Sequence, residues 1–344
     1  MHEAQYKNFS LRIHKRNWRL KRPNTCQFEL TFGCQLHCRH CYTDCYNNKR
    51  YQQKELDTKK VKLLLDKLSA SGVLWLFLTG GDPLSRNDFL EIYSHANNKG
   101  FLISVFTNGF SMTSEIIRYF MKKPPFVIEI TLNAVTEKLY EKMSHVKGSF
   151  AKTMNGLQLI IGAGLQLRIK TDVTRDNLQE IDKIKRYVEA LGITFTPNID
   201  IHARLNGDLT PCSYRIMPFE ALKIQGKAIL GRPCNSEIAF GESKTSLFRC
   251  AAGGRDGIYI DPFGNLTPCN LLRKPSFSLL DTEINDVLRN LSLLISRSEF
   301  ITKSKCRDCV RRNTCRVCPG KAYLEKGDRE VPVEYYCKMA ELLA

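Results

Sequence analysis

Residues 31–45 read Thr-Phe-Gly-Cys-Gln-Leu-His-Cys-Arg-His-Cys-Tyr-Thr-Asp-Cys. Cys34, Cys38 and Cys41 in this stretch are spaced C-x3-C-x2-C. Three thiolates on one short loop can hold three corners of a cubic iron–sulfur cluster. The fourth iron is then left without a protein ligand, whereas an ordinary electron-transfer cluster takes four cysteines. An open iron is what a cluster needs to bind and reduce a small molecule. Two other readings stand beside this one. His37 and His40 can complete a tetrahedral zinc site, and free cysteines are often simply core residues. Cys45 follows Cys41 by four positions and is read as a spare thiol.

Working outward from the loop, apolar strand patterns alternate with helical ones. Strands are expected at Gln27–Thr31, Val73–Thr79, Phe101–Thr107, Phe126–Leu132, Gln166–Asp172 and Ile193–Pro197. Helices are expected between them, the first capped by Asp57 with Val61, Leu64, Leu65 and Leu68 on one face. Six such repeats predict an α/β chain with a parallel sheet covered by helices. Periodicity does not separate an open sheet from a barrel. The loops at the strand ends carry Thr79-Gly80-Gly81-Asp82-Pro83, Thr107-Asn108-Gly109, Thr131 with Asn133, and Lys170 with Asp172. Glycines let a backbone approach a ligand closely, though each segment is also good turn chemistry.

Residues 1–25 form a basic arm, with Lys7, Arg12, Lys15, Arg16, Arg19, Lys21 and Arg22 against Glu3. The alternation from Phe9 to Ile13 suggests a short strand there. Residues 198–249 are a Gly- and Pro-containing connector with weak periodicity. A second cysteine region follows. Cys250, Gly264 and Cys269 are spaced C-x13-G-x4-C, Cys306, Cys309, Cys315 and Cys318 are spaced C-x2-C-x5-C-x2-C, and Cys337 stands alone. The middle group by itself reads as a zinc ribbon, but seven cysteines in order are too many for one zinc.

Taken together, these motifs resemble radical SAM enzymes with a C-terminal SPASM extension. That resemblance implies a partial (β/α)6, TIM-like barrel over residues 26–197 and a small cysteine-rich SPASM domain over 250–344. It implies a site at the carboxyl ends of the strands and three [4Fe–4S] clusters. Cys34, Cys38 and Cys41 would hold the first, whose open iron chelates S-adenosyl-L-methionine and generates a 5′-deoxyadenosyl radical. Cys306, Cys309, Cys315 and Cys337 match the ligands of an outer auxiliary cluster. Cys250, Cys269 and Cys318 match three ligands of an inner one, which is closed by Cys234 or Cys212 or left open. Contacts to S-adenosyl-L-methionine are implied for Gly80, Gly81, Asp82, Tyr42, Asn108, Thr131, Asn133 and Lys170. No catalytic acid or base is assigned. The chain departs from the family pattern at His40, where an aromatic residue is usual, at Asp82, where Glu is frequent, and in the last x2 spacing, where x3 is common.

The bulk numbers are ordinary for a globular protein. The 344 residues are 43% hydrophobic and 25% charged. No apolar run of about 18 residues exists to cross a membrane, and the first residues lack a signal-peptide core. The chain is therefore expected in the cytoplasm, where 14 cysteines point to metal or redox chemistry and not to disulfides. The formal charge of +17 stays basic once cluster charge is subtracted, which suits an acidic peptide partner, a nucleic acid or solubility alone. The resemblance thus implies a maturase of a ribosomally made precursor peptide, fed by an electron donor such as flavodoxin or ferredoxin. The stretch before Cys34 is expected to be too short for a leader-binding domain, so that role would fall to a separate protein. The alternatives are an anaerobic sulfatase-maturating (formylglycine-forming) enzyme and, in another class, a basic iron–sulfur nucleic-acid-binding protein.

Overall fold

The structure is a computed structural model that describes residues 3–20, 22–226, 245–250 and 257–343. Six strands, β1 (Thr25–Thr31), β2 (Trp75–Gly80), β3 (Leu102–Thr107), β4 (Val127–Thr131), β5 (Leu167–Asp172) and β6 (Thr194–Asn198), lie side by side in sequence order. Each pair is parallel. An unbroken sequential order means that every crossover steps in the same direction. Crossovers are right-handed, so all the helices land on one face and the sheet curls with its other face inward. Strand order thus supplies what periodicity cannot, a barrel-type winding instead of a doubly wound sheet.

The two faces differ chemically. Phe28, Leu30, Leu76, Leu78, Val105, Ile128, Ile130 and Ile169 are buried under the helices. The alternate positions line the lumen and are mostly polar, with Gln27, Glu29, Thr79, Ser104, Glu129, Thr131, Arg168 and Lys170, while Phe77 and Phe106 add two aromatic rings. A parallel sheet is usually apolar on both faces, so a polar lumen marks this one as built around a polar occupant. The expected helix cap is present, since the Asp57 side chain accepts from the Lys60 amide at 2.9 Å.

Residues Glu3–Leu20 form a helix, which corrects the strand expected over Phe9–Ile13. Phe9 and Ile13 fit a period of two, but Leu11 between them is 49% exposed. The helical repeat of Tyr6, Phe9 and His14 wins because that face meets an aromatic anchor. His14 stacks on Trp75 at 5.0 Å and Phe9 packs on it at 6.3 Å, while Trp75 Nε1 donates to the Tyr6 hydroxyl at 3.0 Å. Trp75 opens β2, so this basic helix covers the amino ends of the strands, opposite the cysteine loop.

Three more strands extend the sheet past β1. β7 (Gly257–Ile260) pairs parallel with β1, and β8 (Asn265–Thr267) and β9 (Phe277–Ser278) follow antiparallel, in the order β6-β5-β4-β3-β2-β1-β7-β8-β9. The cysteine-rich segment therefore enters through the barrel's own sheet. One apolar core runs from Cys26 through Ile258 and Leu291 to Met339. Within the connector, Pro218–Gln225 is helical and Thr210–Tyr214 makes a 3-10 turn. Cys234 lies outside the described residues. No helix among the described residues is long and apolar enough to cross a membrane.

Candidate active site at the carboxyl ends of the strands

The cysteine loop leaves β1 at Thr31 and is fixed by its backbone. Asn47 accepts from the Cys34 amide at 3.0 Å and donates to the Cys34 and Leu36 carbonyls at 3.0 and 3.1 Å. The His37 amide donates to the Ser144 carbonyl at 2.9 Å, and that of Cys41 to the Cys38 carbonyl at 3.0 Å. Donors also reach sulfur. The Leu36 amide and Asn108 Nδ2 each lie 3.4 Å from Cys34 Sγ, and Cys41 Sγ lies 3.3 Å from the Thr43 hydroxyl.

Burial pushes the Cys34, Cys38 and Cys41 thiols up, and their mutual repulsion adds to the effect at Cys34 and Cys38. Such a trio ionises only against a cationic group, and a metal cluster supplies that charge. The histidines are engaged elsewhere. His37 Nδ1 sits 3.0 Å from Asp44, and His40 Nε2 sits 3.2 Å from Asn133 Nδ2. Among the described residues no three metal-binding side chains converge on one ion. A cubane holds its ligands further apart than a single ion does and needs less convergence. The donor set therefore fits a cluster better than the zinc alternative.

Gly80 and Gly81 join the ends of β1 and β2. The Gly81 amide donates to the Thr31 carbonyl at 2.7 Å, and that of Asp82 to the Gly33 carbonyl at 2.8 Å. A Cβ on Gly80, at φ +137°, would lie 2.0 Å from the Thr31 oxygen, and one on Gly81 would lie 2.4 Å from that of Gly33. Both glycines thus set the entry of the cysteine loop. Gly80→Ala is expected to cost about 3–5 kcal/mol in denaturant unfolding. Gly72→Ala, at φ +92° in open space, should cost about 1 kcal/mol. Equal losses would show that the close approach does not matter.

Asp82 is 0% exposed. Its carboxylate accepts from the Leu84 amide at 2.9 Å, the Asn108 amide at 2.8 Å and the Thr107 hydroxyl at 2.8 Å. Burial pushes its carboxyl up to about 6 against those three donors. Asp82 therefore ties β2 to β3, and through Asn108 it steadies Cys34.

A second polar group spans β4, β5 and β6. Asn133 accepts from the Asp172 amide at 2.9 Å, and Asn198 donates to the Asp172 carboxylate at 2.7 Å. Lys170 Nζ and His40 Nε2 approach that carboxylate at 3.5 and 3.8 Å. Burial works to raise Asp172, but Lys170, His40 and Asn198 hold it below the usual carboxylate range. Burial lowers His40 in turn, and Asp172 raises Lys170. Thr131 faces Lys170 across the β4–β5 pair. Tyr42 turns the other way, toward Ala203, Leu271 and Leu324, with its ring edge-on to His202 at 6.4 Å. Sequence reasoning missed Glu129, a lumen carboxylate between Arg168 and Lys170 that burial pushes up. The alternation along β4 was the signal that could have found it.

The C-terminal cysteines gather beyond the barrel mouth. Cys250, Cys306, Cys315 and Cys318 line one cavity with Arg249 and Arg312. Cys306, Cys309 and Cys337 all act electrostatically on Cys315, as Cys318 does on Cys269. Cys212 packs beside Cys269 against Leu271 and Leu324. Two ion-pair sets fasten this region to the barrel. Arg273 grips the Glu29 carboxylate with two bonds of 2.7 and 2.8 Å. Asp200, just past β6, receives Arg316 at 2.7 Å and Lys321 at 3.1 Å.

Comparison with known proteins agrees with this geometry. Residues 28–196 match the model of the radical SAM superfamily. The chain is 25% identical over 338 residues to the AdoMet-dependent heme synthase of Methanosarcina barkeri, an alignment covering 92% of this chain and 96% of that protein. It is 27% identical over 310 residues to the mycofactocin maturase MftC of Mycobacterium tuberculosis, covering 86% and 78%. The fold is similar to that of Streptococcus suis SuiB bound to its precursor peptide SuiA, with a TM-score of 0.65 at 16% identity over 98% of this chain and 82% of that one. A sequentially wound parallel sheet, a three-cysteine loop on its first strand and the family match identify residues 28–196 as a radical SAM domain, the family whose enzymes use a [4Fe–4S] cluster and S-adenosylmethionine.

Proposed function

We propose that this enzyme matures a ribosomally made precursor peptide. Cys34, Cys38 and Cys41 would hold the cluster that binds S-adenosylmethionine, which supplies hydrogen abstraction from an unactivated carbon. Gly80, Gly81, Asp82 and Asn108 fix that loop. Thr131, Asn133 and Lys170 would lie at the strand ends beside the cofactor, and Tyr42 presents its ring toward the C-terminal segment. Cys306, Cys309, Cys315 and Cys337 would hold the outer auxiliary cluster, and Cys250, Cys269 and Cys318 the inner one. A flavodoxin or ferredoxin would supply electrons, and a separate protein would present the leader.

The observation that carries this reading is the largely polar inner face of the strands, with Glu29, Glu129, Arg168, Lys170 and Asp172 as its charged groups and the cysteine loop at its carboxyl end. Its dimensions are set by strands and not by loops, as suits a site that must shield a radical from water. The likeness to MftC and to peptide-bound SuiB supports a peptide substrate. The likeness to AdoMet-dependent heme synthases, one of them 25% identical over 338 residues, favours a second reading in which a tetrapyrrole fills the same lumen.

Anaerobically reconstituted protein is expected to bind about twelve irons, at four per cubane, and to cleave S-adenosylmethionine when reduced. Mass spectrometry of a candidate precursor peptide after turnover then tests the substrate class. A modified tetrapyrrole with an unaltered peptide would replace the first reading by the second. Absence of reductive cleavage would remove both.

A further inference from the structure

Residues 303–316 read Lys-Ser-Lys-Cys-Arg-Asp-Cys-Val-Arg-Arg-Asn-Thr-Cys-Arg, six cations against one carboxylate. Two of the cations are turned inward. Arg312 donates to the Ser246 carbonyl and lies 4.8 Å over the Phe300 ring, and Arg316 pairs with Asp200. Lys303, Lys305 and Arg311 are exposed, and among the described residues no carboxylate forms an ion pair with them. Cys309 is exposed in their midst. Val310 beside it is 91% exposed and Ile301 is 92% exposed, against 61% or less for every other exposed large hydrophobic among the described residues.

Single exposed apolar side chains are ordinary. Val310, next to the exposed thiol and among these cations, gives a small contact surface with a charged rim, whereas Ile301 lines a cavity with Glu299, Asp328 and Glu330. Transient redox complexes use interfaces of this kind, small in area and guided by charge.

We infer that this face docks an acidic one-electron carrier protein over the outer cysteine set Cys306, Cys309, Cys315 and Cys337. The inference rests on the reading of those four residues as a cluster site. An acidic precursor peptide would gain nothing from an exposed cysteine here, since it has to reach the barrel lumen. A carrier gains the shortest path to the metal site. Opposite charge speeds the encounter and makes the complex salt-sensitive.

The test uses the full-length, cluster-loaded protein and an acidic flavodoxin, with affinity measured by calorimetry at low and high salt. Reversing Lys303, Lys305 and Arg311 together to Glu is expected to weaken binding about tenfold or more at low salt and to flatten its salt dependence. Val310→Ser should weaken binding about threefold and leave the salt dependence unchanged, because it removes only apolar contact. A second basic face lies beside the three-cysteine loop at Lys49, Arg50 and Lys54, all exposed. Reversing that set should change the affinity by less than about twofold, a surface-charge effect alone. Unchanged affinity in the first variant, or a tenfold loss in the Lys49 set, would overturn the inference. So would a first variant that keeps the flavodoxin and loses an acidic precursor peptide. Iron analysis reads the cluster assignment separately. Replacing Cys306 and Cys309 together by Ala should remove about four irons, and an unchanged iron content would remove the outer cluster whatever the affinities show.

Discussion

Replacing Cys34, Cys38 and Cys41 together by alanine is expected to give a folded protein with about four fewer irons per chain, at four per cubane, and no reductive cleavage of S-adenosylmethionine. Retention of the fold follows from how the loop is held. Its anchors are the Asn47 side chain on the Cys34 and Leu36 carbonyls and the Ser144 carbonyl on the His37 amide, and none of these uses a thiol. Loss of iron follows from the charge argument. Burial opposes the ionisation of all three thiols, and the single charge of Lys170, which acts on Cys41, does not offset three thiolates. The remaining irons, about eight, would stay on the C-terminal cysteines, which the sheet places past β1 on its far side. Cys45→Ala is the matched control. Cys45 Sγ lies 3.8 Å from the Tyr42 carbonyl and belongs to neither cysteine set, so iron content and cleavage should be unchanged. A triple variant with its full iron content would end the assignment of this loop, and retained cleavage with depleted iron would move the cofactor site elsewhere.

Much of the barrel was readable because its signals are local. The six strands of the barrel differ from those expected by about two residues at their ends, and the Asp57 cap, the glycine turns and the apolar faces lie where the spacing puts them. What was not readable depends on partners far away in sequence. β7 is four residues long, and its place is given by pairing with β1, which no local pattern announces. The amino-terminal helix shares Phe9 and Ile13 with a strand pattern, and only Trp75, against which it packs, decides between the two. Asp82 shows the same limit at the site. A charged residue after Gly-Gly reads as a ligand contact, yet the structure gives its carboxylate to Leu84, Thr107 and Asn108. The family resemblance groups Cys306, Cys309, Cys315 and Cys337, and in the structure the other three act on Cys315. The exposure of Cys309 and Val310 was not legible, because it depends on what fails to cover them.

Arg273→Ala is expected to cost about 3–5 kcal/mol and, with Cys269 as a proposed ligand of the inner cluster, to lower the iron content. Glu29 is 2% exposed on β1, and Arg273 supplies both of its charged hydrogen bonds from a position 244 residues away. Removing the guanidinium leaves a carboxylate in the lumen wall with no cation to balance it, the costly way to break a buried pair. Arg273 lies four positions past Cys269, and the Leu272 amide between them donates to Cys269 Sγ at 3.2 Å. Loss of the anchor therefore frees the turn that places that sulfur. A double-mutant cycle separates the two effects. Glu29→Gln with Arg273→Met replaces the pair by neutral groups of similar size and should recover most of the stability, because the uncompensated charge is gone. It should recover less of the iron, because a methionine has no donors to hold the turn against β1. Additive losses in the double variant would mean that Glu29 and Arg273 act independently. Full iron in Arg273→Ala would mean that the Cys269 turn is fixed by its packing on Leu271 and Leu324 alone.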